Sequence, residues 1–160
     1  MLTVEEYESL VLLAFEALMR DFSLRHESTR SILPDYYVKL KGHAVRLDVG
    51  YEIDSNLWVA IEALDPANGE TRDRSSLESL LEARLEGGYH RTKPPKDRDA
   101  VLEILRQKAE QLRQYGTDVL RGNFEVFARL HEIEQKELAA WKRWIRDPDS
   151  SLLPPTNHEH

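Results

Sequence analysis

Apolar positions recur along the chain with two different spacings, and these divide it into helical and extended parts. Near the N-terminus, Thr3 and Glu6 form a capping-box pattern, in which a hydroxyl and a carboxylate satisfy the first free amides of a helix. A stripe of apolar residues at intervals of three and four follows: Tyr7, Leu10, Val11, Ala14, Phe15, Leu18 and Phe22. We therefore predict a helix that starts after Thr3 and ends near Ser23.

From Tyr36 onward, apolar and polar residues alternate, which is the period of a strand with one buried face. Three such segments are separated by short turn-like sequences, and they cover residues 36–41, 45–53 and 57–64. They predict a three-stranded antiparallel meander. The polar segments on either side, residues 25–35 and 65–74, are predicted to be connecting loops because they contain Pro34 and Pro66 and no apolar period.

Three further helices are predicted after the strands. Ser75 to Glu78 repeats the capping-box pattern before a short leucine-rich helix that Gly87-Gly88 ends. Asp97 caps a long amphipathic helix, and Gly122 breaks the chain after it. Asn123 then caps a last amphipathic helix. Its apolar stripe, which is interrupted only at Glu134, consists of Phe124, Phe127, Leu130, Leu138, Trp141 and Ile145. The last two helices are predicted to pack as a hairpin.

Together these elements predict one α+β domain over residues 1–146. The N-terminal helix and the C-terminal helical hairpin should pack on one face of the three-stranded sheet, because helix stripes and a sheet face must bury each other. Residues 147–160 are rich in Pro and Ser and are predicted to be a flexible C-terminal tail.

Composition narrows the classes of partner. The chain has 160 residues, a net charge of -7 and no cysteine. This charge repels nucleic-acid phosphates and favours a basic protein partner. Neither a signal peptide nor an apolar run long enough to cross a membrane is found, so no membrane association is predicted. The lack of cysteine fits a reducing compartment, and we expect the protein in the cytoplasm.

Candidate chemical motifs are all incomplete. His131-Glu132 would begin a zinc-protease helix only if a second His stood at position 135, where the chain has Gln. Gly87-Gly88 lacks the Lys-Ser/Thr end of a phosphate-binding loop. The triplets 89–91, Tyr-His-Arg, and 158–160, His-Glu-His, are interpreted as exposed segments. No catalytic residue, metal ligand or cofactor is therefore predicted.

The outer face of the predicted sheet is the best candidate for function. Alternation along the second and third strands places Asp48, Glu52, Trp58 and Glu62 away from the core. An aromatic side chain among charges is typical of a binding surface, so these four residues are predicted to bind the partner. The alternative is a small hydrolase, with or without a divalent metal, that uses this acidic face or residues 89–91.

Two stretches carry a family resemblance: "HAVRLDVGYEIDSNLWVAIEAL" and, later, "AEQLRQYGTDVLRGNFEVFARL". They resemble a family of small bacterial proteins that is similar to the immunity proteins of polymorphic toxin systems. Asn123 and the helix start at Ser75 depart from that family's pattern. The resemblance implies a non-enzymatic protein that neutralises a cognate toxin by binding it.

Overall fold

A five-stranded antiparallel sheet is the centre of the computed structural model, which describes residues 1–53, 56–85 and 94–147. The strands are β1 (Arg25–Ile32), β2 (Asp35–Lys41), β3 (Val45–Glu52), β4 (Asn56–Leu64) and β5 (Thr71–Ser76). They lie in the sheet in the order in which they occur in the sequence. The α+β class and the three central strands are confirmed. The prediction of a sheet of only three strands is wrong, because β1 and β5 add one strand at each edge.

Both missed strands are polar, which is why alternation did not reveal them. Seven of the eight residues of β1 are exposed, and Thr29 alone is half-buried. An edge strand of this kind is stabilised by its ladder to β2 and buries little side-chain area. β1 also contains a β-bulge, where the register with β2 shifts between His26 and Ser28. The prediction of loops at residues 25–35 and 65–74 is therefore wrong, because these segments contain β1, the start of β5 and their turns.

The N-terminal helix begins as predicted and then breaks. Thr3 and Glu6 form the expected capping box at the start of α1 (Val4–Ala14). Phe15 leaves the helical conformation, and a short helix α2 (Glu16–Asp21) follows, so the predicted single helix is in fact two. The stripe still faces inward, since Tyr7, Leu10 and Leu18 are buried.

Three helices follow the sheet: α3 (Leu77–Leu85), α4 (Arg98–Leu120) and α5 (Phe127–Arg146). The Ser76 hydroxyl, and not that of Ser75, caps α3 by accepting a hydrogen bond from the Ser79 amide. The predicted Asp97 cap of α4 is confirmed by its bond from the Ala100 amide. The predicted hairpin of the last two helices is wrong: α4 packs against α1 and α3, whereas α5 packs against α3 and β5.

The core lies between these helices and one face of the sheet. The buried apolar residues of the central strands point to that face: Val38, Leu40, Val45, Leu47, Val49, Val59 and Ile61. The Tyr7 ring of α1 lies 6.0 Å from the ring of Tyr36 and 5.4 Å from that of Tyr51. The Tyr36 hydroxyl donates a 2.8 Å hydrogen bond to the carbonyl of Leu2, which fastens the N-terminus to β2. The opposite face carries polar residues together with Tyr37, Gly50, Trp58 and Ala60.

Candidate functional site: the outer face of the sheet

The outer face is the side of the sheet opposite the core, and the register of β3 and β4 defines it. Arg46 lies opposite Glu62, Asp48 opposite Ala60, and Gly50 opposite Trp58. Glu52 lies opposite Asn56 at the end of the same ladder. Because side chains alternate along a strand, the structure brings all four predicted partner-binding residues onto this face.

Trp58 is held flat against the sheet. Gly50 has no side chain, and a Cβ added there would lie 2.3 Å from Cε2 of the indole. The ring of Tyr37 lies 5.9 Å from the indole on one side, and the guanidinium carbon of Arg74 lies 5.7 Å from the ring centre. Trp58 is therefore half-buried and held by three neighbours, although it belongs to the solvent-facing side of the sheet.

The carboxylates of this face are paired with arginines. Glu62 accepts hydrogen bonds from Arg74, at 2.8 Å, and from Arg46, at 3.2 Å. Arg46 also binds both oxygens of Glu27, at 2.6 and 2.8 Å, and Arg74 lies 3.5 Å from Asp48. The hydrogen bond from Arg46 holds the pKa of Glu27 below its usual value. Lys41 adds a third cation, because its ammonium lies 4.0 Å from Glu27. Three carboxylates therefore share three cationic groups, and the network is balanced in charge.

Asp48 and Glu62 are less accessible than the sequence suggested. They are 6% and 5% exposed, because the neighbouring long side chains cover them. Burial raises the pKa of Asp48 above its usual value, and its Oδ1 atom has no hydrogen-bond partner among the described residues. A partner would meet Trp58 and the arginine side chains before it met these two carboxylates.

A cavity of about 400 Å³ opens beside Trp58. It lies where β5 ends, and its lining residues come from β4, β5, α3 and α5: Asn56, Trp58, Val59, Ala60, Arg74, Ser75, Ser76, Glu78 and Glu134. On its α5 side, Glu134 accepts a 2.6 Å hydrogen bond from the Ser75 hydroxyl. On its α3 side, Oε1 of Glu78 binds the ammonium of Lys108 at 3.2 Å, and both side chains are buried.

The remaining sequence candidates lie elsewhere. His131 of α5 contacts Asp73 of β5 at 2.8 Å and Glu134 at 3.5 Å, as a packing residue does. Within residues 1–53, 56–85 and 94–147, no group of three or more acidic, His or Cys residues is placed to hold a metal ion. In the same part of the chain, no helix has the length and apolar character needed to cross a membrane. The triplets 89–91 and 158–160, Gly87-Gly88, and all but the first residue of the predicted tail lie outside the described residues.

Several residues of the site were not identified from the sequence, although two of them carried a signal. Glu134 is a charged residue on an otherwise apolar helix stripe, which indicates a buried polar contact. Gly50 interrupts a strand, which often marks a close approach by another group. Tyr37, Arg74 and Glu78 carried no such signal, because only the register and the packing bring them to Trp58 and the cavity.

Comparison of the chain with protein-family models, with curated proteins and with solved structures found no match. The resemblance to immunity proteins therefore remains a prediction from the sequence. The geometry of the outer face and the net charge of the chain are the observations that bear on its function.

Proposed function

We propose that the protein is a non-enzymatic protein-binding domain that docks a partner on the outer face of its sheet, with Trp58 as the central contact. The observation that carries the proposal is the fixed indole, held between Gly50, Tyr37 and Arg74 on a face opposite the packed helices. A large aromatic side chain that is already ordered loses little conformational entropy on binding, so more of its contact energy contributes to affinity.

Charge favours a basic partner. The charges of the outer-face network balance, but the chain as a whole carries a net charge of -7. Opposite charge accelerates the encounter between two proteins and orients them before contact. The resemblance to immunity proteins suggests a toxin as this partner, met in the cytoplasm, with inhibition by occlusion of the toxin's active surface.

The hydrolase alternative has no observation in its favour. A paired-carboxylate mechanism needs one carboxyl group to accept a proton and another to release one beside a substrate. Here Glu62 is bound by two arginines, and Asp48 is buried next to one of them. The other proposed location, residues 89–91, lies outside the described part of the chain.

The test is capture of the partner from the native host by immobilised protein. Wild type is compared with Trp58→Ala, with Glu52→Lys and, as the matched control, with Trp144→Ala, which removes a half-buried indole from α5. Trp58→Ala should speed dissociation of the captured partner, and Glu52→Lys should slow association, whereas Trp144→Ala should change neither. A partner retained equally by all four proteins would refute docking on this face.

A further inference from the structure

β4 extends beyond its neighbour β5. The last pair between them is Ala60 with Ser76, after which the chain turns into α3. Residues 56–59 pair with β3 on one side, and among the described residues no strand pairs with them on the other. A strand edge of four residues, roughly 13 Å long, is thus left beside the cavity.

The chemistry of the cavity suits a hydrogen-bond donor that carries positive charge. Glu78 lines it and is 5% exposed, yet its Oε2 atom has no hydrogen-bond partner among the described residues. A buried carboxylate oxygen without a donor is costly. Oε2 has almost no accessible surface, so a donor entering the cavity binds it after a small movement of the surrounding side chains. Glu134 adds a second carboxylate, and Trp58 supplies apolar surface suited to an aliphatic stem.

Among the described residues that line the cavity, one is a cation, and it is already engaged. Arg74 binds Glu62 and lies beside Asp48, so it does not neutralise Glu78 or Glu134. Lys108 binds only the Oε1 atom of Glu78. Glu134 lies 3.5 Å from His131, which is charged only when it is protonated. An acidic side chain entering the cavity would face both carboxylates, whereas Lys or Arg would add a donor for Glu78 and a charge that complements Glu134.

We propose that this cavity receives a Lys or Arg side chain from an extended segment of the partner protein, and that the segment's backbone pairs with residues 56–59 of β4. This deepens the proposed function and rests on it. Strand addition of this kind draws affinity from main-chain hydrogen bonds and specificity from pockets that accept alternate side chains. The outer-face contact at Trp58 and the cavity then belong to one continuous docking surface, because Trp58 contributes to both.

The experiment uses capped hexapeptides of alternating Val and Thr as probes, with Lys, norleucine or Glu at the third position. Binding to the isotope-labelled 160-residue chain is followed by amide chemical shifts. The Lys peptide should bind at least about tenfold more tightly than the norleucine peptide, because a charge-assisted hydrogen bond is lost. Its shifts should fall on residues 56–60 and 75–78, and methylation of its backbone nitrogens should abolish binding, because the ladder donors are removed.

The variant test is Glu134→Gln, which keeps an acceptor for the Ser75 hydroxyl and removes the charge. It should reduce the preference for Lys over norleucine to less than about threefold. Glu132→Gln is the matched control, since it removes an exposed carboxylate of the same helix that does not line the cavity, and it should leave the preference unchanged.

Several results would overturn the proposal: equal binding of the Lys and norleucine peptides, shifts confined to other strands, no binding at millimolar concentration, or the same loss in both Glu variants. The outcome is separable from that of the proposed function. If capture of the partner depends on Trp58 but is unchanged by Glu134→Gln, docking on the outer face stands and the cavity is refuted as a subsite.

Discussion

The indole of Trp58 lies on Gly50, its cross-strand neighbour in β3, so closely that a Cβ at position 50 would meet Cε2 at 2.3 Å. We predict that Gly50→Ala forces the indole off the sheet and lowers the free energy of unfolding by about 1–3 kcal/mol, as overpacking does. Urea unfolding of Gly50→Ala, Trp58→Ala and the double variant measures the coupling. In the Trp58→Ala background the added methyl group should cost nearly nothing. An equal cost in both backgrounds would place the strain in the backbone.

The buried pair of Lys108 and Glu78 gives a second prediction. Lys108→Met removes the ammonium that binds Oε1 of Glu78, so both oxygens of this buried carboxylate are left without that donor. We expect the free energy of unfolding to fall by about 3–5 kcal/mol. Glu78→Met combined with Lys108→Met should recover most of that loss, because no charge then remains buried. Chemical denaturation measures the stability of both variants. The control is Lys136→Met, which changes an exposed lysine and should stay within about 0.5 kcal/mol of wild type.

His131 provides a pH dependence with a defined sign. Its hydrogen bond to Asp73, with a lesser contribution from Glu134, raises the pKa of His131 above its ordinary value of 6.5. The protonated imidazole is therefore favoured in the folded state, and its stabilising contribution is complete below about pH 6.5 and disappears as the pH rises through the raised pKa. The stability difference between wild type and His131→Gln should follow this course in urea unfolding at pH 5 to 9. A difference that grew with pH would contradict the assignment.

Leu47 tests the core itself. It is fully buried in the middle of β3, so Leu47→Ala should lower the unfolding free energy by about 2–5 kcal/mol through the cavity it creates. Leu13→Ala is the matched control, because Leu13 is 50% exposed and its removal should cost less than about 1 kcal/mol. A change below about 1 kcal/mol for Leu47→Ala would mean that this strand contributes little to the core.

The helices and strands that bury apolar side chains could be predicted from the sequence. β2, β3 and β4 alternate strongly because one face of each lies on the core, and α4 carries a clear stripe with an Asp97 cap. β5 escaped prediction because its contacts with α5 are polar: Ser75 binds Glu134, and Asp73 binds His131. A polar strand beneath a helix has the same local pattern as a loop.

For the candidate site, the sequence predicted only which residues share the outer face of the sheet. Alternation placed Asp48, Glu52, Trp58 and Glu62 together, and the register agrees. It did not reveal that Arg46 and Arg74 bind Glu62, because ion pairs across strands depend on register. The cavity was also beyond prediction, since it arises from the unequal lengths of β4 and β5 and from the position of α5.

The sequential order of the strands has a consequence for folding kinetics. Neighbours in the sheet are neighbours in the chain, so each hairpin closes a short loop and can form early. The N-terminal helices depend on distant partners: Arg113 of α4 binds Asp21 across 92 residues, and the Tyr7 hydroxyl reaches the Val49 carbonyl across 42. Docking of α1 and α2 is therefore expected after the transition state. Substitutions at that interface should accelerate unfolding and leave the refolding rate nearly unchanged.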